Sequence, residues 1–330
     1  MSTTYKILII RFSSIGDIVL TTPVIRCLKV QLPEVELHFL TKKQYIPLLA
    51  HNPHIKKIYS FEKKINEIIH ELKKENFNFI VDLQKNRRSL HVRMRLCLPF
   101  GTFNKLNKKK WLLTNFKINL LPNISIVDRY FLAVKKLNVH NDYQGLDYFI
   151  PAIDRINIKE FLPKLFQDGY ITLVAGSKQV TKQIPVEKMI EICRAVKFPV
   201  ILLGDNGDRE KANLVSAELH NHVFNACGNF NINQSASFIE QAQAVITTDT
   251  GLMHIAAALR KKIISVWGNT VNDLGMFPYY PKGMDNYHVI EVKNLKCRPC
   301  SKLGYKQCPK KHFRCMMDID AEKIAELINI

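Results

Sequence analysis

The stretch AVITTDTGLMHIAAAL, residues 244–259, is an apolar run followed at once by a helix rich in small residues. The run is typical of a buried strand, and the change of pattern at Thr-Asp marks the strand's carboxyl end. Asp249, Thr250 and Gly251 therefore crowd onto the first helical turn, with His254 one turn later. Because backbone amides at a helix N-terminus point outward, this corner is predicted to bind an anion.

The same succession of strand, turn and helix recurs along the chain. The predicted strands are YKILII, VELHFL, IKKIYSF and FNFIVDL in the first half, and YITLVAG, PVILLGD, HVFNACG, AVITTD and KIISVWG in the second. Helical stretches such as EKKINEIIHELKKE separate them. The alternation predicts an α/β fold with two Rossmann-like domains, residues 1–160 and 161–330, whose parallel sheets face a central cleft that binds the ligand.

The composition is that of a folded protein without a membrane span. At 330 residues the chain is long enough for two domains, and its 47% apolar content is ordinary. No apolar run approaches the roughly 18 residues that a transmembrane helix needs, and Arg11 interrupts the N-terminal run too early for a signal peptide. We therefore expect a cytoplasmic protein whose eight cysteines are reduced thiols or metal ligands.

The net charge of +19 is unevenly distributed. Residues 1–150 hold 25 Lys and Arg against 11 Asp and Glu, a balance of +14, whereas residues 151–330 hold 23 against 18, a balance of +5. Such a surface favours a polyanionic partner, although a general lysine-rich composition would give the same excess. A nucleic-acid partner is not expected, because no known binding motif accompanies the charge and aromatic residues do not interleave with it.

The corner at residues 9–23, IIRFSSIGDIVLTTP, follows the first predicted strand. Gly16 allows close backbone approach or a positive φ. Asp17 is either a helix cap or a general base at the strand's carboxyl end. Pro23 either follows a helix start at Thr22 or kinks a longer helix. The G-x-G-x-x-G pattern is missing, which argues against a dehydrogenase.

Two further corners follow strands in the second half. In LVAGSKQVTKQIPVEKM the small residues Gly176 and Ser177 precede Lys182, which suits an anion, although an isolated lysine is more often simply solvated. The spacing of a Walker A motif is absent. In LLGDNGDREKAN, Asp208 either contacts a ribose or caps a helix. All four corners lie at predicted carboxyl ends of strands, where one cleft would collect them.

Three of these segments together resemble the heptosyltransferase family of bacterial glycosyltransferases, family 9. They are residues 7–28 (ILIIRFSSIGDIVLTTPVIRCL), 181–185 (TKQIP) and 247–259 (TTDTGLMHIAAAL), and the similarity covers essentially the whole chain. The resemblance implies the two-domain GT-B fold and a nucleotide-sugar donor, typically ADP-heptose. It also implies transfer of heptose to the inner core of lipopolysaccharide with inversion, without a cofactor or a catalytic metal.

The resemblance assigns roles to individual residues. Asp17 matches the catalytic base, and Lys182 matches a lysine that neutralises the leaving diphosphate. The family has Trp-Pro where this chain has Ile184-Pro185, which leaves the local packing open. The residues expected to bind the donor are Ser14, Gly16, Gly176, Ser177, Asp208, Asp249, Thr250, Gly251, Leu252 and His254. The competing interpretation is a nucleotide-sugar-binding protein without transferase activity, or a family member with another donor.

A cluster of basic residues in LQKNRRSLHVRMRL includes Lys85, Arg87 and Arg88. For an enzyme whose acceptor carries phosphates and acidic sugars, these side chains are expected to bind the acceptor and the anionic surface of the inner membrane. The protein would then be peripheral at the cytoplasmic face. A solvated basic helix is the alternative explanation for each single residue.

The segment 297–315 has the pattern C-x2-C-x7-C-x6-C, formed by Cys297, Cys300, Cys308 and Cys315. Four cysteines with one tight pair suit tetrahedral zinc. The resemblance implies no catalytic metal, so a zinc ion here would be structural. Both alternatives, a structural metal and none, remain open at this point.

Overall fold

The strands of the protein form two sheets in which all neighbouring strands are parallel, as the sequence predicts. The computed structural model describes residues 4–329. The first sheet contains β1 (Lys6–Ile10), β2 (Glu36–Lys42), β3 (Lys57–Phe61), β4 (Phe79–Asp82) and β5 (Phe100–Thr102), in the spatial order β3-β2-β1-β4-β5. The second contains β6 (Ile171–Val174), β7 (Val200–Leu203), β8 (Val223–Asn225), β9 (Ala244–Thr248), β10 (Lys262–Trp267) and β11 (Tyr287–Glu291), in the order β11-β10-β9-β6-β7-β8.

Helices connect the strands. They are α1 (Ile15–Val19), α2 (Thr22–Gln31), α3 (Asn66–Lys74), α4 (Arg87–Leu96), α5 (Asn107–Phe116), α6 (Ile126–Tyr130), α7 (Ile158–Phe161), α8 (Lys164–Gln167), α9 (Val186–Ala195), α10 (Arg209–Leu219), α11 (Ile232–Gln241), α12 (Gly251–Ala258), α13 (Arg314–Met317) and α14 (Ala321–Asn329). Helix α2 begins at Thr22 with Pro23 in its first turn, so the interpretation without a kink is correct. Between residues 4 and 329, no helix combines the length and the apolar character that crossing a bilayer requires.

The described chain divides into two compact units, one around each sheet. Unit 1 comprises residues 4–105, 124–149 and 279–283, and unit 2 comprises residues 106–123, 150–278 and 284–329. Most of unit 1 precedes residue 150 and most of unit 2 follows it, but residues 106–123 belong to unit 2 and residues 279–283 belong to unit 1. Residues 279–283 bring Tyr279 into unit 1, where its hydroxyl donates to Asp128 Oδ1 at 3.0 Å and accepts from Asn141 Nδ2 at 2.8 Å.

The nine strands predicted from apolar runs are present, because central parallel strands are covered on both faces and need apolar side chains throughout. Ile7 to Ile10 of β1, for example, are fully buried. Strands β5 and β11 were not predicted, since β5 has only three residues and neither strand carries a continuous apolar run. Only glycine fits at position 101 in β5, because a Cβ there would lie 1.8 Å from the carbonyl oxygen of Ala133.

The order of strands reverses once in each sheet. In unit 1 the chain proceeds from β1 to β2 and β3, and then returns to the other side of β1 with β4. In unit 2 it proceeds from β6 to β7 and β8, and then returns to the other side of β6 with β9. Such a reversal opens a crevice at the carboxyl ends of the two central strands, which is where α/β proteins bind ligands. We call these crevices the switch points of the two units.

His38 in β2 is an ionisable group buried inside unit 1, with 3% of its surface exposed. Its ring stacks on Tyr59 at 5.9 Å between centroids and meets the edge of Phe77 at 5.1 Å. Burial lowers the pKa of His38, and the opposing influence of Glu75 and Glu36 does not restore it. At neutral pH the imidazole is therefore uncharged, and the folded protein protonates it at a lower pH than the unfolded chain, in which it titrates near pH 6.5.

We expect the melting temperature to fall as the pH is lowered from 7 to 5, and this fall to be smaller in His38→Phe. Below about pH 6.5 the unfolded chain binds a proton that folded His38 does not, so acid favours the unfolded state. Thermal unfolding followed by circular dichroism across this range measures the difference. The matched control is His70→Phe on α3, where the imidazole is already exposed. Equal pH slopes in the wild type and His38→Phe would contradict the prediction.

Candidate active site

Asp17 lies after the carboxyl end of β1, in the first turn of α1. The N-cap of α1 is Ser14, and Asp17, the third helical residue, completes a capping box with it by accepting from the Ser14 amide. The amide and hydroxyl of Ser14 donate to Asp17 Oδ2 at 3.1 and 2.9 Å, and Arg11 Nη2 lies 2.5 Å from Oδ1. Gly16 is a buried residue inside α1, and it does not use the positive φ that glycine permits.

The surroundings of Asp17 keep its carboxyl group ionised. Burial by itself would raise the pKa of this carboxyl, but the guanidinium of Arg11 and the hydrogen bonds from Ser14 outweigh burial and hold the pKa below its usual value. The side chain is still 23% exposed. At neutral pH the group is therefore a carboxylate that can accept a proton, although only weakly.

Arg11 is the functional residue that the sequence analysis missed. Its side chain is buried, and besides Asp17 it contacts the carbonyl oxygens of Ser13 at 2.9 Å and Leu83 at 2.5 Å. It thereby joins the end of β1 to the end of β4 and fixes the Asp17 carboxylate between them. The available signal was an arginine directly after a fully apolar strand, where a buried cation needs a partner such as the acid six residues later.

The predicted acceptor-binding residues lie at the same switch point, after β4. Phe12 N–H donates to Gln84 Oε1 at 2.8 Å, which brings the two corners of unit 1 together. Lys85 is anchored by a hydrogen bond from its Nζ to the carbonyl oxygen of Phe103 at 2.8 Å. Arg87 and Arg88 are exposed on the first turn of α4. The structure thus brings Asp17 and this basic corner together in unit 1.

In unit 2, Lys182 and Asp249 form an ion pair at the switch point between β6 and β9. Lys182 ends a short 3-10 turn, Val180–Lys182, and its Nζ contacts Asp249 Oδ2 closely and the Asp249 carbonyl oxygen at 3.4 Å. The two side chains are 14% and 11% exposed. Residues separated by more than sixty positions, and predicted independently as anion-binding, therefore meet at one place.

Helix α12 begins directly beside this ion pair. Thr250 is its N-cap: the hydroxyl accepts a hydrogen bond from the Met253 amide at 3.4 Å and lies 3.1 Å from Thr247 Oγ1. Gly251 and Leu252 are half-buried in the first turn. Amides of a helix's first turn have no partner within the helix, so this end favours an anion. His254 is buried, 1% exposed, and faces inward from the second turn.

The corner after β6 is shaped by close approach to Asp208. A Cβ at Gly176 would lie 1.9 Å from Asp208 Oδ2, so a larger residue there would have to displace the Asp208 carboxylate. Asp208 Oδ2 accepts from the Asp205 amide at 3.0 Å, and Oδ1 lies 2.6 Å from Lys211 Nζ. Asp208 thus has the capping role that the sequence allowed, and its contact with a ribose stays a prediction. Ser177 is half-buried, and its carbonyl oxygen accepts from Gln183 Nε2 at 2.6 Å.

Ile184 stands where the resembling family has tryptophan. Its side chain is 2% exposed and belongs to the hydrophobic core of unit 2. Residue 184 therefore anchors the turn that carries Lys182 by apolar packing, and the smaller side chain leaves this turn attached to the core.

The four cysteines of segment 297–315 lie near one another in unit 2. Cys300 Sγ donates to the carbonyl oxygen of Cys297 at 3.1 Å, and Cys308 and Cys315 lie close enough to affect the pKa of Cys300 or of each other. Burial raises the pKa of Cys300 to about 11 and that of Cys315 to about 12. In the part of the chain that the structure describes, no three His, Cys, Asp or Glu side chains are arranged to hold a metal ion.

We expect Lys182→Met to lower the free energy of unfolding by about 2 kcal/mol, because it leaves the largely buried carboxylate of Asp249 without its cation. Asp249→Asn added to Lys182→Met should recover part of this loss, since it removes the uncompensated charge. Urea denaturation of the single and double variants measures the coupling. Lys43→Met, which breaks the exposed pair with Glu62, is the control and should cause no measurable change. Additive losses in the double variant would contradict a coupled pair.

Comparison with known proteins identifies the family. Residues 65–312 match glycosyltransferase family 9 (heptosyltransferase). Lipopolysaccharide heptosyltransferase 1 of Campylobacter coli is 26% identical over 291 residues, covering 80% of this chain and 84% of the relative. Lipooligosaccharide heptosyltransferase 2 of Haemophilus influenzae is 24% identical over 359 residues, covering 98% of each chain.

Among solved structures, ADP-heptose LPS heptosyltransferase II of E. coli has the same fold. It superimposes with a TM-score of 0.71 at 20% sequence identity, over 98% of this chain and 97% of its own. The α/β expectation of two parallel-sheet domains of the GT-B type is thereby confirmed. Since the family match spans most of the chain, this protein belongs to glycosyltransferase family 9, the heptosyltransferase family, and is a glycosyltransferase.

Proposed function

We propose that the protein transfers a heptose from ADP-heptose to the inner core of lipopolysaccharide, or to a related surface glycan, with inversion at the anomeric carbon. The observation that carries the proposal is the Lys182–Asp249 ion pair beside the N-terminus of α12, at the switch point of unit 2. The names of the relatives support lipopolysaccharide as the acceptor class. The name of the E. coli structure supports ADP-heptose as the donor.

Unit 2 would hold the diphosphate of the donor. The first-turn amides of α12, at Gly251 and Leu252, supply uncharged donors that need no reorganisation. The ammonium group of Lys182 supplies the positive charge, and its contact with Asp249 holds it in position before the donor arrives. As the sugar–phosphate bond breaks, these groups stabilise the negative charge that develops on the leaving ADP. The proposal therefore assigns charge neutralisation to protein groups, without a cofactor or a catalytic metal.

Unit 1 would activate the acceptor through Asp17. The carboxylate takes the proton from an acceptor hydroxyl, the hydroxyl oxygen attacks the anomeric carbon, and ADP leaves with the electron pair of the broken bond. A single displacement of this kind inverts the anomeric centre and needs one base and no covalent nucleophile. Because Arg11 and Ser14 keep the pKa of Asp17 low, proton transfer must come late, once the new bond from the hydroxyl oxygen to the anomeric carbon has made the hydroxyl more acidic.

The basic corner after β4 would hold the acceptor. Arg87 and Arg88 are exposed, and guanidinium groups bind phosphates and sugar carboxylates in a bidentate manner. Lys85 adds positive charge close to the same switch point. An acceptor anchored in lipid would make the enzyme a peripheral protein at the cytoplasmic face of the inner membrane, in contact with anionic lipid.

We expect ADP to bind at least about tenfold more tightly than UDP or GDP in calorimetry with EDTA present. The base contacts of an ADP-sugar site discriminate against other bases, whereas the diphosphate contacts are common to all three. Lys182→Met should weaken ADP binding by about tenfold or more, because a charge-assisted contact is lost. Preference for UDP or GDP would exclude the heptose assignment. Failure of all three nucleotides to bind would exclude the donor site.

We expect Asp17→Asn to lower turnover by about 10²–10⁴-fold without changing the affinity for ADP. The amide keeps the shape of the side chain but cannot take a proton. Turnover is measured as ADP released from ADP-heptose in the presence of a heptose-deficient core acceptor. Asp168→Asn, at an exposed site of unit 2, is the matched control and should retain full turnover. Undiminished turnover in Asp17→Asn would remove Asp17 from the mechanism, and absent turnover in the wild type with intact ADP binding would favour a non-catalytic binding protein.

A further inference from the structure

Residues 106–123 expose a set of large apolar side chains in unit 2. The exposed residues are Trp111, Phe116, Ile118 and Leu120, each with at least half of its surface in contact with solvent. The rings of Trp111 and Phe116 meet edge to face, 5.2 Å apart, so the aromatic surface is continuous. Leu113 is buried and attaches α5 to the rest of the protein. Exposed apolar patches of this kind mark a binding surface.

The same segment is strongly basic. It contains Lys108, Lys109, Lys110 and Lys117 and not one Asp or Glu. Three of these lysines lie in the first turn of α5, where the helix dipole disfavours cations and where the first turn contains no acidic residue. Lys108 and Lys109 are exposed there, and an external anionic surface would offset the unfavourable interaction of their charges with the helix dipole.

A second basic segment adjoins the first. Lys117 Nζ donates to the carbonyl oxygen of Pro299 at 2.7 Å, which joins residues 106–123 to residues 293–314. The second segment also lacks any Asp or Glu. It exposes the apolar side chains of Leu303 and Tyr305. Its exposed lysines are Lys293, Lys296, Lys302, Lys306, Lys310 and Lys311.

We propose that residues 106–123 and 293–314 together form a docking surface for an anionic lipid bilayer. Tryptophan and other aromatic side chains favour the boundary between headgroups and acyl chains, and lysines favour the anionic headgroups above it. The two segments combine both preferences, with no carboxylate in either one to repel the lipid. The exposed aliphatic side chains of Ile118, Leu120 and Leu303 distinguish this partner from a nucleic acid, which the lysines alone would bind through its phosphates.

The docking surface is attached to the predicted donor site. The amide of Thr181 donates to the carbonyl oxygen of Tyr305 at 3.1 Å, and the amide of Tyr305 donates to Thr181 Oγ1 at 2.7 Å. Lys182 follows directly. Docking would therefore hold the donor site at the lipid surface. This last consequence rests on the proposed function, whereas membrane docking itself does not.

Tryptophan fluorescence tests the proposal directly. The chain contains two tryptophans, and Trp267 is fully buried, so a change of emission on binding reports Trp111. We expect the full-length protein to co-sediment with phosphatidylcholine vesicles that contain 30% phosphatidylglycerol, chosen as roughly the anionic content of a bacterial inner membrane. Emission should shift to shorter wavelength, and 0.5 M NaCl should weaken binding, because the lysine contacts are screened.

Two variants assign the binding to this surface. The first variant removes apolar contact by the double change Trp111→Ala and Phe116→Ala. The second removes charge by four changes made together: Lys108→Gln, Lys109→Gln, Lys302→Gln and Lys306→Gln. Each variant should bind the vesicles about tenfold more weakly or worse, measured by sedimentation. The matched controls in unit 2 replace as many exposed residues of each kind: Ile153→Ala with Leu214→Ala, and the four changes Lys159→Gln, Lys164→Gln, Lys197→Gln and Lys323→Gln. These controls should bind as the wild type does.

The proposal is overturned if the wild type does not bind the anionic vesicles, or binds pure phosphatidylcholine equally well. Undiminished vesicle binding by both surface variants overturns it too. So does a result in which the protein binds duplex DNA through these residues and does not bind vesicles. Affinity for ADP, measured on the same proteins, keeps the two proposals separate. If the surface variants lose vesicle binding but keep normal affinity for ADP, docking through this surface is supported. That result would hold even if the wild type transferred no heptose.

Discussion

The reversal of strand order at the centre of each parallel sheet is the constraint on which the site depends. Between β1 and β4, and again between β6 and β9, two neighbouring strands send their chains away in opposite directions, and a crevice opens at their carboxyl ends. Every polar corner predicted from the sequence follows one of these strands or an adjacent one. Apolar packing of the strands thus decides where the charged groups stand, although it contributes no atom to the chemistry.

At both switch points an acidic and a basic side chain meet in a largely buried ion pair. Arg11 and Asp17 form the pair in unit 1, and Lys182 and Asp249 form the pair in unit 2. The proposed active group is the carboxylate of Asp17 in the first pair and the ammonium group of Lys182 in the second. The partner fixes the position of the active group and compensates its charge before substrate arrives. Arg11 also lowers the pKa of Asp17, so the carboxyl group stays ionised but is a weaker base.

The proposed active groups and the docking surface lie in different segments of the chain. The active groups stand at the corners that follow the central strands of the two sheets. The surface formed by residues 106–123 and 293–314 lies outside those corners, in segments with little regular structure apart from α5. Its properties follow from charge and exposure alone. A glycosyltransferase acting on a lipid-anchored acceptor has use for both, and Thr181 connects them through its hydrogen bonds to Tyr305.

The sequence by itself determined the nine apolar strands, the α/β class and the corners that bear polar residues, because these depend on local pattern. Tertiary structure decided which corners meet: it paired Lys182 with Asp249, placed Asp208 against Gly176, and buried Arg11 against Asp17. It also built the edge strands β5 and β11 from segments without an apolar run. These features depend on contacts between residues distant in the chain or on burial that no local pattern encodes, so only the folded protein fixes them.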